Sequence, residues 1–166
     1  MPRKRLNAEN REIRLATLYP CNRPSSVPSA SGPPNSPRIQ LSLRNVSLND
    51  SPPPQYTALS YVWGNAAETV PILVDGVKFL ATKNLVAALA ELQPEDGDPM
   101  TLWIDALCIN QSDNDEKSGQ IQLMKQIYEA SISTIVWLGD DADGSETVMK
   151  MLGEFCCAAR GPSCYL

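Results

Sequence analysis

The sequence contains no histidine. That absence excludes from this chain a Ser-His-Asp or Cys-His catalytic arrangement, a histidine general base and histidine metal ligands. Any chemistry must fall to carboxylates, thiols, lysine, tyrosine or backbone groups. There is no G-x-G-x-x-G and no G-x-x-x-x-G-K-[ST], so neither a dinucleotide fingerprint nor a P-loop is present. No uninterrupted apolar run approaches the roughly 18 residues of a membrane span, and the start lacks the apolar core of a secretory signal. The expectation is an intracellular, cytoplasmic protein without a membrane span. The five cysteines, Cys21, Cys108, Cys156, Cys157 and Cys164, are odd in number and contain no C-x-x-C pair. Reduced thiols fit that pattern better than a disulfide frame, and no metal site is expected. The N-x-S matches at Asn45, Asn49 and Asn110 carry no meaning without secretion.

What is present is unevenly spread. The net charge is -5, with Arg3, Lys4, Arg5, Arg11 and Arg14 early and Asp140, Asp141, Asp143 and Glu146 late. A basic tail can touch nucleic acid, but the acidic total argues against a nucleic-acid-binding domain, and a solvated tail is the expectation. Nine of the fourteen prolines lie between Pro20 and Pro54. Helices and central strands do not run through such spacing, so Asn22 to Pro37 reads as a loop.

The stretch around which the chain is organised is Leu102 to Gln111, LWIDALCINQ. It is a near-continuous apolar run, typical of a strand covered on both faces, interrupted only by Asp105. A polar turn from Asn110 to Asp115 follows. Asp113 with Glu116 three residues later reads as a capping box, so a helix starts near Asn114, with Ile121, Met124, Ile127, Tyr128 and Ser131 on one face. Thr134 to Leu138 is again a short apolar run, and strand, helix, strand is the unit of a parallel sheet.

Upstream, Glu12 to Tyr19 alternates well enough to be a strand, Arg38 to Leu48 alternates as a half-buried strand, and Pro52 to Pro54 hold an extended spacer. Tyr56 to Gly64 is a second buried-strand candidate. Val70 to Val74 and Val77 to Leu80 form a hairpin about Asp75-Gly76. Thr82 caps a helix whose apolar face is Leu85, Ala88, Leu89 and Leu92, and a last helix is expected from Ser145 through Val148, Met151, Leu152 and Phe155. The fold class is therefore α/β. The expectation is a partial parallel sheet of three core strands and an exposed edge, with flanking helices, a hairpin and a short N-terminal β appendage, cut short at its C-terminus. The domain reading is a basic flexible tail at 1–10, the β appendage with its proline-rich loop (20–37) at 11–51, the incomplete core at 52–160 and a tail at 161–166.

The blocks EIRL (Glu12 to Leu15), YTALSYVWG (Tyr56 to Gly64), TKNLVAAL (Thr82 to Leu89), LWIDALCINQ with Asp113, Glu116, Lys117 and Gln120, and VWLG (Val136 to Gly139) resemble, in this order, the HET (heterokaryon incompatibility) domain of filamentous fungi. The motif residues so matched are Tyr61, Trp63, Gly64, Trp103, Asp105, Cys108, Asn110, Gln111, Asp113, Glu116, Gln120, Trp137 and Gly139. The resemblance implies an effector module in fungal nonself recognition and regulated cell death, acting through assembly with other protein domains. The element order also resembles the first half of a TIR domain, a flavodoxin-like fold some of whose members cleave NAD. That analogy makes NAD a candidate substrate, with no cofactor evident, and Glu146 and Glu154 the candidate catalytic carboxylates; a third reading is an inactive truncated fragment.

Each motif residue has a structural reading beside the functional one. Asp105, near the carboxyl end of a central strand, either orients a substrate or turn or is a buried carboxylate that accepts hydrogen bonds from loop N–H groups or pairs with Arg or Lys. Asn110 and Gln111 line a cleft or form a turn. Trp63 beside Gly64 suits ligand stacking, although core packing is the expectation for Trp63, Trp103 and Trp137 alike. Cys108 is expected to be a small inert hydrophobe. Glu116, Lys117 and Gln120 either form an assembly or substrate surface on the helix or serve capping and solvation.

Overall fold

The computed structural model describes residues 4–21 and 38–139. They form one seven-stranded mixed sheet carrying three helices: β1 (Glu12–Leu18), β2 (Gln40–Ser47), β3 (Thr57–Tyr61), β4 (Thr69–Val74), β5 (Val77–Thr82), α1 (Lys83–Leu92), β6 (Met100–Trp103), α2 (Asp105–Cys108), α3 (Asn114–Ala130) and β7 (Ser133–Trp137). The sheet order is β5-β4-β2-β1-β6-β3-β7. β1 is antiparallel to both β2 and β6, β4 is parallel to β2, and β3 is parallel to β6 and β7. Five strands therefore share one direction, and only β1 and β5 oppose it.

The two strands expected as an appendage do pair with each other, but they are continuous with the sheet, and β1 lies at its centre. Ile13, Leu15, Ala16 and Leu18 are fully buried there, as a strand covered on both faces requires. The parallel trio β6-β3-β7 reproduces the flavodoxin-like order of second, first and third strands. Ligands of such sheets bind at the carboxyl ends of the strands, which is where the motif residues converge.

Local chemistry sets most element boundaries as expected. The β4–β5 hairpin turns on Asp75 (φ 52°) and Gly76 (φ 73°), both left-handed, as a two-residue turn matched to strand twist demands. Thr82 Oγ1 accepts from Leu85 N at 3.4 Å to cap α1, whose Leu85, Ala88 and Leu89 are buried. On the other side of the sheet, Tyr56 donates its hydroxyl to the Ile127 carbonyl of α3 at 2.6 Å, and burial pushes its phenol up to about 12.

The central run departs from expectation. β6 ends at Trp103, and Asp105–Cys108 wind into a single helical turn, with Cys108 N donating to Ile104 O at 2.7 Å. A short apolar run buries equally well as strand or helical turn, so periodicity does not separate them. Ile121, expected on the buried face of α3, is 52% exposed, while Gln120 takes a buried place and donates to the Glu12 carbonyl at 2.9 Å. Glu146, Glu154 and the helix expected from Ser145 lie outside the described residues, as does the 22–37 loop.

The capping box is half made. Asp113 Oδ1 accepts from Asp115 N and Glu116 N at 3.1 Å each. Glu116 does not reach back to the cap; it is taken by Arg14 of β1. The Arg14 guanidinium donates to both Glu116 oxygens (2.9 and 3.1 Å), to the Cys108 carbonyl (2.6 Å) and to the Lys4 carbonyl (3.0 Å). Glu116 Oε1 also accepts from Asn110 N at 2.7 Å, and both side chains of the pair are almost fully buried. The α2–α3 corner is thereby tied to the middle of the sheet.

Arg14→Ala leaves a buried carboxylate without its cation and is expected to cost about 3–5 kcal/mol in urea unfolding, whereas Arg14→Met with Glu116→Leu recovers much of that loss. Burial raises the Glu116 pKa, but the Arg14 and Asn110 hydrogen bonds and the Arg14 charge outweigh it, and the net shift is downward. Its stabilisation is therefore complete above the unfolded carboxylate value of about 4.3 and is lost as pH falls through the lower folded value. A pH series of unfolding midpoints on the wild type and the double variant should show the acid loss only where Glu116 is present.

Candidate functional site

The carboxyl ends of β3, β6 and β7 place an aromatic, a carboxylate and an amide together. Trp63 lies just past the end of β3, and its indole Nε1 donates to Asp105 Oδ2 at 2.8 Å. Asp105 opens α2, and its Oδ1 accepts from Ala106 N at 2.7 Å. The carboxylate is thus held by an indole and a backbone amide, as the reading of a buried carboxylate accepting loop N–H groups expects, and not by Arg or Lys. Gln111 Nε2 donates to the Asp105 carbonyl at 3.1 Å and fixes the turn from below.

On the β7 side, Asn84 in the first turn of α1 joins two strand ends. Its Nδ2 donates to the Val62 carbonyl, and its Oδ1 accepts from Trp137 Nε1 at 2.9 Å. Gly64 (φ 73°) allows this approach, since a Cβ there would stand 3.4 Å from Asn84 Cβ in a conformation that L side chains rarely adopt. Gly139, also left-handed, has Asn84 Oδ1 as its nearest neighbour, 3.9 Å from the position a Cβ would take.

The electrostatics single out Asp105. Burial raises its pKa, against the opposing hydrogen bonds from Trp63 and Ala106, and the net shift is upward. Burial also drives the Tyr61 phenol well above its ordinary value, helped by the negative charge of Asp105 and by Cys108. Tyr128 is raised by burial and then by Asp105, with a Ser60 hydrogen bond opposing. A carboxylate that is partly desolvated without a cation is the kind of group that marks functional sites.

The structure thus divides the motif. Tyr61, Trp63, Gly64, Asp105, Trp137 and Gly139 gather around the strand ends. Asn110, Asp113, Glu116 and Gln120 build the corner beneath, so Glu116 and Gln120 take a buried structural role in place of either an assembly or substrate surface or a solvated one. Trp103 is fully buried with its ring edge-on to Tyr128 (centroids 5.6 Å apart, 73° between planes), and Cys108 is fully buried, as expected. Trp63 differs from the core packing expected of all three tryptophans: it is 44% exposed because β3 ends at Tyr61. Sequence reasoning missed two residues. Asn84 lies within a matched block at a position that reads as ordinary helix, and Arg14 falls among the early basic residues although it lies in an apolar alternation. On the far side of the α2–α3 corner, Asn110, Gln111 and Ser112 border a cleft of about 280 Å³ shared with Val74, Lys78 and Phe79 of the hairpin, near the lower limit for a small-ligand pocket. Among the described residues no three Asp, Glu, His or Cys side chains gather as a metal site, and no helix is long and apolar enough to cross a membrane.

Asp105→Asn keeps an acceptor for the Trp63 indole while removing the ionisation. The Asp105 contribution to stability is greatest at acid pH and is lost as pH rises through its raised folded pKa. The Asn variant is therefore expected to have the higher urea midpoint at pH 7, the difference closing as pH falls below the carboxylate range.

Residues 56–157 match the family model described as heterokaryon incompatibility protein (HET). A curated relative, heterokaryon incompatibility protein 6, OR allele, of Neurospora crassa, is 44% identical over 116 residues, which cover 63% of this chain and 17% of the relative. The chain thus spans less than a fifth of that relative's length. No solved structure matches. With the family match running across the strand ends, the α2–α3 corner and β7, the chain belongs to the heterokaryon incompatibility (HET) family.

Proposed function

We propose that this chain is an effector module of fungal nonself recognition that acts inside the cell, where its assembly with other protein domains leads to regulated cell death. The observation that carries the reading is Trp63, a large aromatic that stays 44% exposed while Asp105 fixes its ring. Tryptophan is enriched among the residues that dominate protein interfaces, and an anchor whose rotamer is already fixed loses less entropy on binding. The exposed Val62 beside it adds apolar area. The upward shift of the Asp105 pKa fits a group retained for its surface rather than for stability.

A second reading, NAD hydrolysis, draws support from the flavodoxin-like order of β6, β3 and β7, which brings the motif to the ligand-binding end of the sheet. In that reading Glu146 or Glu154 stabilises or attacks the ribosyl carbon as nicotinamide leaves, and water completes the hydrolysis.

The two readings separate by substitution. Expressed in a fungal host, Trp63→Ala is expected to abolish dye-reported cell death and to weaken association at least about tenfold, the scale of an interface anchor. Trp63→Phe, which keeps most of the area but loses the indole donor, should fall between the two. Death that persists in folded Trp63→Ala but disappears with Glu146→Ala or Glu154→Ala, together with NAD consumption by the purified chain, would replace assembly by hydrolysis.

A further inference from the structure

Among the described residues β5 is an outer strand of the sheet, and the register of its hairpin shows which of its backbone groups are left over. Leu73 N and Asp75 N donate across to β2, to the Ile39 and Leu41 carbonyls at 3.0 and 2.9 Å. The alternate residues of β4, Ile72 and Val74, therefore turn their groups toward β5, where their partners are Phe79 and Val77. The same parity carries through Ala81 to Lys83, whose N–H donates to the Glu68 carbonyl at 3.0 Å. Lys78, Leu80 and Thr82 are thus left pointing their N–H groups away from the sheet. Pro71 agrees with this assignment: it lies opposite Leu80, where its missing N–H breaks no bond to β5.

Proteins blunt such an edge with proline, with charges or with a bulge. β5 is a regular six-residue strand, VKFLAT, with a single charge and no proline. Leu80, the middle one of the three outward residues, is 61% exposed, and Val77 is 44% exposed. The edge also complements itself. An antiparallel pairing of two such strands centred on Lys78 sets two lysines face to face, and one centred on Phe79 leaves Thr82 unpaired with the lysines on a diagonal. Centred on Leu80, the pairing uses all three outward residues. It sets Leu80 against Leu80, Lys78 against Thr82 and Phe79 against Ala81, with no like charges opposed.

We propose that β5 pairs antiparallel with β5 of a second copy of this chain, about a two-fold axis through Leu80, so that two seven-stranded sheets become one. The exposed Leu80 side chains cover each other, and the outward N–H groups gain acceptors. A single strand edge buries less than the roughly 1,200 Å² at which standard interfaces begin, so the dimer is weak and dependent on concentration. It does not rest on the Trp63 reading, because Trp63 follows β3, on the far side of β1 from β5 in the sheet.

Sedimentation equilibrium of the 166-residue chain over a roughly hundredfold range of concentration is expected to show monomer passing to dimer. Over the same range, amide exchange of Lys78, Leu80 and Thr82 should slow, while Phe79 and Ala81, already bonded to β4, stay unchanged. Leu80→Lys and Leu80→Asp, each at an exposed position, should each abolish the dimer while Phe79 and Ala81 keep their protection, which shows an intact hairpin. An equimolar mixture of the two variants should associate again, since the axis then sets opposite charges against each other. Trp63→Ala should leave the dimer unchanged. A chain that stays monomeric throughout would overturn the proposal, as would a dimer that survives Leu80→Lys or one that Trp63→Ala removes. Protection of Lys78, Leu80 and Thr82 in a monomer at every concentration would also overturn it, assigning the edge to another segment of the same chain.

Discussion

The buried pair between Arg14 and Glu116 is the constraint on which the rest of the arrangement depends. An arginine in the middle of a central strand is costly unless its donors are met, and here two carboxylate oxygens and two carbonyls meet them. Because Glu116 also holds Asn110 N, and Cys108 offers its carbonyl to Arg14, the corner between α2 and α3 hangs from β1. Asp105 sits at the start of that corner. The position of the site at the strand ends is therefore inherited from a charge buried at the centre of the sheet.

Above the corner, the balance between stability and function changes. Asp105 has lost water without gaining a cation, and its raised pKa expresses that cost. What the carboxylate does instead is hold the Trp63 indole, while Asn84 does the same for Trp137. Two tryptophans at adjacent strand ends are thus each fixed through their single polar atom, one at the surface and one partly buried. Such a surface is rigid before any partner arrives, which suits the assembly role proposed above.

Periodicity and turn chemistry made most elements legible: the Asp75-Gly76 hairpin, the Thr82 and Asp113 caps, and the β1 and β2 strands all survive in the structure, although β1 is buried on both faces rather than alternating. The strand order did not follow from them, because the pairing of β1 with β6 joins residues far apart in sequence, and alternation carries no record of its neighbour. The end of β6 was illegible for a different reason, since Leu107, Cys108 and Ile109 are buried in a helical turn as thoroughly as they would be in a strand. In the site, Asp105 and Trp63 stood out by type, a lone carboxylate in an apolar run and an aromatic before glycine. Arg14 and Asn84 did not, because what distinguishes them is partners that only the fold supplies.

The most direct test of this account is the behaviour of the Trp63 indole itself. Nitrogen-15 relaxation of the assigned Trp63 Nε1–H in the wild-type chain at neutral pH should give an order parameter close to that of rigid backbone, about 0.85. It should fall in Asp105→Ala, which removes the acceptor. An indole as mobile in the wild type as in Asp105→Ala would contradict the claim that the motif presents a preset aromatic anchor.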